Sequence, residues 1–295
     1  MKRLTFFLPV LIALIAAAPP AQSAARDAKT IALGFVSEKP PEEVEAHLKD
    51  FAVYVGKKLN LEGKVITAPT VSQLAKDIEQ RRVDFYMDSP YPTYLINRQG
   101  TAMLLLRRWK SGMAEYRSIV FAKKDGPVKK LDDLKGKLIA FEDPGSTSAY
   151  FLPKVFLMKK GMRLTEKAGP LSPVAAKETG YIFTYSIATT VDLVLSGKAG
   201  GGAFSNDDFA RIGDRQAQIV KLAETAPFPR NLVSVRKDLD PALVKRLKEV
   251  LLAMDKDEEG KKVLAKTDET NKFDPLPGGE EAMRRQLQEL FRGRD

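Results

Sequence analysis

The chain contains no cysteine and only one histidine among its 295 residues. Without cysteine it forms no disulfide, carries no thiolate nucleophile and offers no cysteine ligand to a metal. A histidine-rich zinc site or a serine–histidine–aspartate triad would have only His47 to draw on. His47 falls in a polar helical stretch and is predicted to be exposed. These absences argue against an enzyme, and we expect no cofactor and no metal.

Positive charge exceeds negative charge, but it forms no block. The chain has 48 Lys and Arg residues against 38 Asp and Glu residues, a formal net charge of +10. The basic residues are scattered, as at Lys129-Lys130 and Lys159-Lys160, and are not interleaved with aromatic residues. This balance is compatible with an anionic ligand, a membrane surface or nucleic acid. Because no basic block is present, nucleic acid is disfavoured as a partner.

The N-terminus has the three parts of a secretory signal in the usual order. A short basic start, an apolar run and a stretch of small or turn-forming residues occupy residues 1–3, 6–18 and 19–25. The apolar run is shorter than the roughly 20 residues that cross a bilayer comfortably. A cleaved export signal is therefore expected, and the alternative is a retained N-terminal anchor.

Cleavage after Ser23 and cleavage after Ala25 both satisfy the small-x-small rule, so residues 1–25 are assigned to the signal. A bacterial lipoprotein needs a cysteine just after its signal, and this chain has none. We therefore expect a chain that is free in the periplasm and not a lipoprotein.

The remaining part of the chain, about 270 residues, is long enough for two lobes. Short β-rich runs alternate with amphipathic stretches, which is typical of an α/β fold. Two such units follow each other, and the chain then returns to the first. We predict that residues 26–118 and 228–295 form lobe 1 and residues 119–227 form lobe 2. Strands are predicted at residues 30–36, 64–68, 83–87, 103–109, 116–123, 138–141 and 232–236. Helices are predicted at residues 42–59, from Thr70 or Ser72 to about Gln80, from the loop at 142–146 to Lys160, at 190–196, at 241–254 and from Glu280.

The most informative stretch lies between Phe141 and Tyr150. A strand ends, a Pro-Gly turn reverses the chain, and Ser146, Thr147 and Ser148 open a helix. The first N–H groups of a helix lack internal acceptors and carry the positive end of its dipole. With three hydroxyl groups added, this helix start predicts a cradle for a small anion. The alternative is that Ser146 only caps the helix and the other two residues fill its first turn.

Residues 143–148, Asp-Pro-Gly-Ser-Thr-Ser, followed by Pro153, resemble the hallmark of the phosphate, phosphite and phosphonate-binding proteins of ABC importers. The similarity extends over nearly the whole chain beyond the signal. Further matching stretches are residues 34–36, 83–85, 88–90, 116–120, 131–137 and 195–199.

This resemblance implies a bilobal type II periplasmic-binding-protein fold, with two mixed-sheet lobes joined by two hinge strands near residues 116–121 and 231–236. It implies a monomeric periplasmic protein without catalysis of its own. Such a protein captures a small oxyanion of the phosphate, phosphite or phosphonate class between its lobes and delivers it to an ABC permease. The alternative is a receptor of the same fold that presents its closed form to a membrane histidine kinase.

The resemblance also implies a set of ligand-binding residues. Ser146, Thr147 and Ser148 match the oxyanion-binding triplet of the family, and Tyr116 matches a tyrosine near the cleft. Asp88, Ser89 and Tyr91 occupy the ligand loop of the first lobe.

The sequence departs from the family pattern at three places. Residues 185–190 contain no histidine where members usually have one, Val71 replaces a tyrosine, and residues 199–203 lack the usual Ala-Asp pair. Thr189, Ser205 and Asn206 are candidates to supply substitute donors, as is Thr190. For each of them, ordinary helix capping or solvation of a loop is the alternative.

Overall fold

A computed structural model describes residues 29–37 and 40–292. The predicted export signal at residues 1–25 lies outside the described residues. Within the described ranges, no helix combines the length and the apolar character needed to cross a membrane.

The described chain alternates strands and helices throughout. The strands are β1 (Thr30–Val36), β2 (Glu62–Ala68), β3 (Phe85–Asp88), β4 (Ala102–Lys110), β5 (Glu115–Tyr116), β6 (Ser118–Lys123), β7 (Leu138–Phe141), β8 (Leu164–Glu166), β9 (Thr179–Phe183), β10 (Gly201–Ser205), β11 (Ile219–Glu224), β12 (Phe228–Pro229), β13 (Asn231–Arg236) and β14 (Thr270–Asp274). The α-helices are α1 (Pro41–Leu59), α2 (Val71–Glu79), α3 (Pro90–Asn97), α4 (Leu152–Lys159), α5 (Ile187–Leu195), α6 (Asn206–Arg211), α7 (Pro241–Ala253), α8 (Glu258–Lys266) and α9 (Gly279–Phe291). A π-helical turn at Thr147–Phe151 leads directly into α4.

Two six-stranded mixed sheets form the centres of two lobes. The lobe 1 sheet has the order β14-β4-β13-β3-β1-β2, and the lobe 2 sheet has the order β11-β6-β10-β7-β9-β8. In lobe 1, β1 runs parallel to β2 and β3, while β13 runs antiparallel to β3 and β4. In lobe 2, β7 runs parallel to β9 and β10, while β6 runs antiparallel to β10 and β11. Each lobe is therefore a parallel unit completed by a strand that enters from the other lobe.

Two neighbouring segments connect the lobes. The chain leaves β4 for β6 through residues 111–117 and returns from β11 to β13 through residues 225–230. Within them β5 and β12 pair antiparallel, with Tyr116 opposite Phe228. The bilobal type II fold is therefore confirmed. The hinge strands expected near residues 116–121 and 231–236 were placed too far along the chain, because β6 and β13 belong to the two sheets and the connections precede them.

Hydrophobic periodicity explains how the helices pack on these sheets. In α1 the predicted apolar stripe, which includes Leu48, Phe51 and Val55, is buried. Phe51 packs between Phe85 and Phe273, with ring centroids 6.5 and 6.1 Å away. His47 on the same helix is exposed, as predicted.

Two predictions of secondary structure were wrong in detail. The predicted strand 116–123 is interrupted at Arg117, and the helix predicted at residues 190–196 begins three residues earlier, at Ile187. The glycine-rich residues 201–205 form β10 in the middle of the lobe 2 sheet. A Cβ on Gly202 would lie 2.8 Å from the ring of Phe121. The glycines here make room for an aromatic neighbour and do not mark a loop.

Candidate functional site

The carboxyl ends of the parallel strands of both lobes meet at one cleft of about 680 Å³. On the lobe 1 side, the cleft is lined by Ser37, Thr70 and Ser89, which follow β1, β2 and β3. Equivalent positions line it from lobe 2, where Glu142, Tyr185 and Ser205 lie at the ends of β7, β9 and β10. Ligand sites of α/β proteins lie at this edge of a sheet.

Several helices begin at the same cleft. The starts of α2 and α3 face it from lobe 1, and the helix that begins at Thr147 faces it from lobe 2. Each helix start presents N–H groups without internal acceptors and a partial positive charge. Their convergence from two lobes creates a positive potential for an anion without requiring a formal charge.

The three hydroxyl groups of the predicted triplet have three different surroundings. Ser146 caps its own helix, since its Oγ accepts the N–H of Ala149 at 3.1 Å. The hydroxyl of Thr147 contacts lobe 1, where it lies 3.0 Å from the Oγ of Ser89. Ser148 lines the cleft and is 8% exposed.

Two buried donors that line the cleft have no partner within the described part of the chain. They are the hydroxyl of Tyr116 and the Nε–H of Arg230. Both residues belong to the segments that connect the lobes, and the guanidinium of Arg230 lies 4.9 Å from the centre of the Tyr116 ring. Burial raises the pKa of Tyr116 to about 12, so the phenol keeps its proton and can donate it. Arg230 also makes an ion pair with Asp207 at 3.4 Å.

Four carboxyl groups line the same cleft, which is unusual for an anion site. Asp143 is committed to its own turn, where it accepts the N–H of Gly145 at 2.6 Å. Asp208 is committed to the start of α6, where it accepts the hydroxyl of Ser205 at 2.6 Å. These two groups therefore stabilise local structure.

The other two carboxyl groups have raised pKa values. Burial, together with the nearby charges of Asp208 and Asp143, raises the pKa of Glu142 to about 7. Burial raises the pKa of Asp88 to about 6, against the opposing effect of the hydrogen bond from Ser89. Part of the negative charge of the cleft is therefore neutralised near neutral pH, which lowers its repulsion of an anion.

Residues 33–276 match the family of periplasmic substrate-binding proteins of phosphonate ABC transporters. The chain belongs to this family. The match covers most of both lobes and both connecting segments. The predicted membership of the phosphate, phosphite and phosphonate-binding proteins of ABC transporters is thus confirmed, as is the role of a periplasmic substrate-binding protein.

Solved structures agree with this assignment. XAC2383 from Xanthomonas citri bound to ATP is 26% identical, with a TM-score of 0.80 over 89% of this chain and 95% of that chain. PhnD1 from Prochlorococcus marinus in complex with methylphosphonate is 19% identical, with a TM-score of 0.66 over 90% of this chain and 97% of that chain. The latter likeness shows the fold alone. The role in transport rests on the family match, which lends no support to the sensor-kinase alternative.

The structure brings most of the predicted site residues of this binding protein together. The predicted residues that line the cleft are Asp88, Ser89, Tyr116, Ser146, Thr147, Ser148 and Ser205. Four others do not line it. Tyr91 is buried beside the cleft, and buried Thr190 shares a hydrogen bond with the hydroxyl of Thr184 at 2.7 Å. Exposed Thr189 donates its N–H to Ser186 at 3.4 Å, and Asn206 accepts the N–H of Arg117 at 2.7 Å.

Sequence reasoning missed Arg230, Glu142, Asp208 and Tyr185, all of which line the cleft. Glu142 could have been predicted from the sequence, because it directly precedes the Asp-Pro motif. Arg230 was not, because it reaches the cleft only through the return connection between the lobes. Within residues 185–190, where the family histidine is missing, Tyr185 is 69% exposed with a left-handed φ of 56°.

Proposed function

We propose that this protein captures a small phosphorus oxyanion, of the phosphate, phosphite or phosphonate class, in the cleft between its lobes. Ser148 and Tyr116 donate their hydroxyl hydrogens, Arg230 donates Nε–H, and the helix start at Thr147 and Ser148 donates backbone N–H groups. The protein then presents the closed form to an ABC permease.

One observation carries the proposal: the hydroxyl of Tyr116 and the Nε–H of Arg230 are buried at the cleft and donate no hydrogen bond to any described residue. A buried donor without an acceptor costs about 1–3 kcal/mol, so its presence calls for an explanation. An oxyanion at the carboxyl ends of the strands satisfies both donors. It also lies where the helix starts converge.

The ligand of one relative supports the choice of phosphorus. XAC2383 is bound to ATP, and the phosphoryl groups of ATP have the same tetrahedral arrangement of oxygens as phosphate. The cleft, at about 680 Å³, falls within the range of roughly 300–1,000 Å³ common for small-molecule sites. It is large enough for an oxyanion that carries an organic substituent.

The lobe boundaries remain part of the proposal: residues 26–118 and 228–295 in lobe 1, and residues 119–227 in lobe 2. The membership of the strands in the two sheets supports these limits. The segments at 111–117 and 225–230 then act as the hinge, and closure about them traps the ligand. The protein works without chemistry of its own and as a monomer.

We further propose that residues 1–25 direct export and are removed, leaving a chain in the periplasm without a lipid anchor. N-terminal sequencing of the protein recovered from the periplasm tests this. A first residue at Ala24 or Arg26 is expected. A chain that still begins at Met1 and stays with the membrane would contradict it.

Calorimetric titration tests the ligand class directly. Methylphosphonate, phosphite and phosphate are each titrated into the wild-type protein, with sulfate and arginine as comparison ligands. At least one phosphorus oxyanion should bind, and Tyr116→Phe should weaken it about tenfold through the loss of one donor. Binding of arginine with no binding of any phosphorus oxyanion would refute the proposal.

A further inference from the structure

The start of α3 is capped in an unusual way. Ser89 occupies the N-cap position of α3, where a serine normally accepts an N–H from the first turn. Its side chain makes no such bond here. Pro90 and Pro92 have no N–H, so Tyr91 supplies the one N–H among the first three helical positions. The side chain of Ser89 therefore does not accept the N–H of Tyr91, although this is the only N–H of the first turn that it could cap.

That donor is capped from the other lobe. The N–H of Tyr91 donates to Oγ1 of Thr147 at 2.9 Å, across 56 residues of sequence. The hydroxyl of Thr147 in turn donates to the Oγ of Ser89 at 3.0 Å. One hydroxyl group of lobe 2 thus replaces the cap that Ser89 would supply, and also engages Ser89 itself.

On the side away from the cleft, this contact is backed by closely packed aromatic rings. Thr147 is 2% exposed. The ring of Tyr91 stacks on the ring of Phe151, with centroids 3.9 Å apart, and Phe291 of α9 packs on both rings at 5.4 and 4.9 Å. A hydrogen bond that is shielded from water is worth more than an exposed one, and breaking it leaves buried groups unsatisfied. The contact therefore favours the closed arrangement of the lobes.

We propose that Thr147 is a positioning residue that caps α3 of lobe 1 in the closed state, and that its hydroxyl does not bind the ligand. When the lobes separate, Ser89 takes over the N–H of Tyr91, so α3 stays capped in both states. The proposal rests on the oxyanion function proposed above. It divides the family triplet into a local cap at Ser146, an interlobe cap at Thr147 and a ligand donor at Ser148.

A double-mutant cycle tests this division of roles. Affinity for methylphosphonate, phosphite and phosphate is measured by calorimetry for Thr147→Val, Ser89→Ala and the double variant. Thr147→Val keeps the shape of the side chain and should weaken binding about tenfold, because closure loses its interlobe bond. The double variant should be no weaker than Thr147→Val, since Thr147→Val already removes the hydrogen bond to Ser89 together with the one from Tyr91.

Ser148→Ala is the matched control, because it removes the neighbouring hydroxyl of the same helix start. When Ser148→Ala is combined with Ser89→Ala, the two losses of affinity should multiply, as expected for a ligand donor that does not contact Ser89. Thr147→Ser retains the hydroxyl and should restore affinity to within about twofold of wild type. The proposal would be overturned if the losses of affinity caused by Thr147→Val and Ser89→Ala multiplied in the double variant. It would also be overturned if Thr147→Ser bound the oxyanion as weakly as Thr147→Val.

Small-angle X-ray scattering separates failure of this proposal from failure of the oxyanion function. If no phosphorus oxyanion binds the wild-type protein, the oxyanion function fails and the unliganded radius of gyration decides the role of Thr147. Thr147→Val should then be more expanded than wild type, while Ser148→Ala should not. An unchanged radius for Thr147→Val in that case would overturn the interlobe cap.

Discussion

The two lobes share one arrangement of strands but present different chemistry to the cleft. In lobe 1, β1 runs parallel to its neighbours β2 and β3, and β13 enters antiparallel from lobe 2. In lobe 2, β9, β7 and β10 have the equivalent places and β6 enters antiparallel from lobe 1. The common topology explains why both lobes contribute to one site, and the loops explain what each contributes.

The wall from lobe 2 holds most of the polar groups. Three of the four carboxyl groups of the cleft and all three hydroxyl groups of the triplet come from it, whereas lobe 1 contributes one carboxyl group, Asp88, and the hydroxyl groups of Ser37, Thr70 and Ser89. The connecting segments add Tyr116 and Arg230, the two donors without partners among the described residues. Lobe 2 thus supplies the cradle, lobe 1 closes it, and the hinge contributes donors that only an occupied cleft satisfies.

Buried charge distinguishes the two sheets as well. In lobe 1, Arg236 and Asp84 form an ion pair at 3.0 Å with side chains 5% and 3% exposed. In lobe 2, the pair of Lys167 and Glu178 at 2.6 Å is 17% and 13% exposed. The lobe 1 sheet therefore depends more strongly on keeping a buried pair intact.

The largest expected effect follows from that difference. Arg236→Met removes the cation that pairs with buried Asp84 at 3.0 Å, and should lower the free energy of unfolding by about 3–5 kcal/mol. Lys167→Met, the matched change in lobe 2, should cost clearly less, because water reaches Glu178. Urea unfolding of both variants measures the two losses. Equal losses would contradict the contrast between the lobes.

The next effect concerns the hinge. Arg230→Gln removes a charged donor from the cleft and should weaken binding of the phosphorus oxyanion about 100-fold, the scale of a charge-assisted hydrogen bond. Calorimetric titration measures the loss. Arg117→Gln is the control, because Arg117 is 52% exposed in the other connecting segment and does not line the cleft. If the two variants bound equally well, Arg230 would have no part in the site.

A third comparison uses the glycine that lets β10 approach its neighbours. A Cβ on Gly202 would lie 2.8 Å from the ring of Phe121 and 2.9 Å from Cγ2 of Thr190. Gly202→Ala should therefore lower the free energy of unfolding by about 2 kcal/mol, which urea unfolding measures. Gly169→Ala provides the control, because nothing lies within 4 Å of its added Cβ. A Gly202→Ala protein as stable as wild type would show that the strand can shift without cost.

The smallest effect is a dependence on pH. Glu142 has a pKa raised to about 7 from 4.5, so it is neutral below that value and repels an oxyanion above it. Affinity should fall several-fold between about pH 6 and pH 8. The free energy of unfolding should also fall as the pH rises. The contribution of Glu142 to it is complete below about pH 4.5 and is lost as the pH rises through 7.

Glu142→Gln isolates this dependence. The titration of the ligand and that of Asp88 affect both proteins equally, so they cancel in the ratio of wild-type to Glu142→Gln affinity. Calorimetry across the pH range should show that ratio decreasing as the pH rises. A ratio that stays constant would show that Glu142 does not cause the dependence of affinity on pH.

The sequence by itself determined most of the secondary structure and the identity of the central motif. Helix periodicity, as in α1, and N-cap chemistry, as at Ser146, act over three or four residues, so they can be recognised in a single sequence. The strand Thr30–Val36 and the strand Leu138–Phe141 have the predicted bounds for the same reason. The resemblance around the Asp-Pro-Gly-Ser-Thr-Ser stretch identified the family.

Only the tertiary structure decided what each hydroxyl of that stretch does. Thr147 finds its partners 56 and 58 residues away, and Arg230 reaches Tyr116 across the whole of lobe 2. Contacts of this kind depend on which strands are neighbours in a sheet and on how the lobes close, and neither leaves a local pattern. For the same reason the sequence alone does not explain why β10 is rich in glycine, whereas the structure does, because a Cβ on Gly202 would lie 2.8 Å from the ring of Phe121.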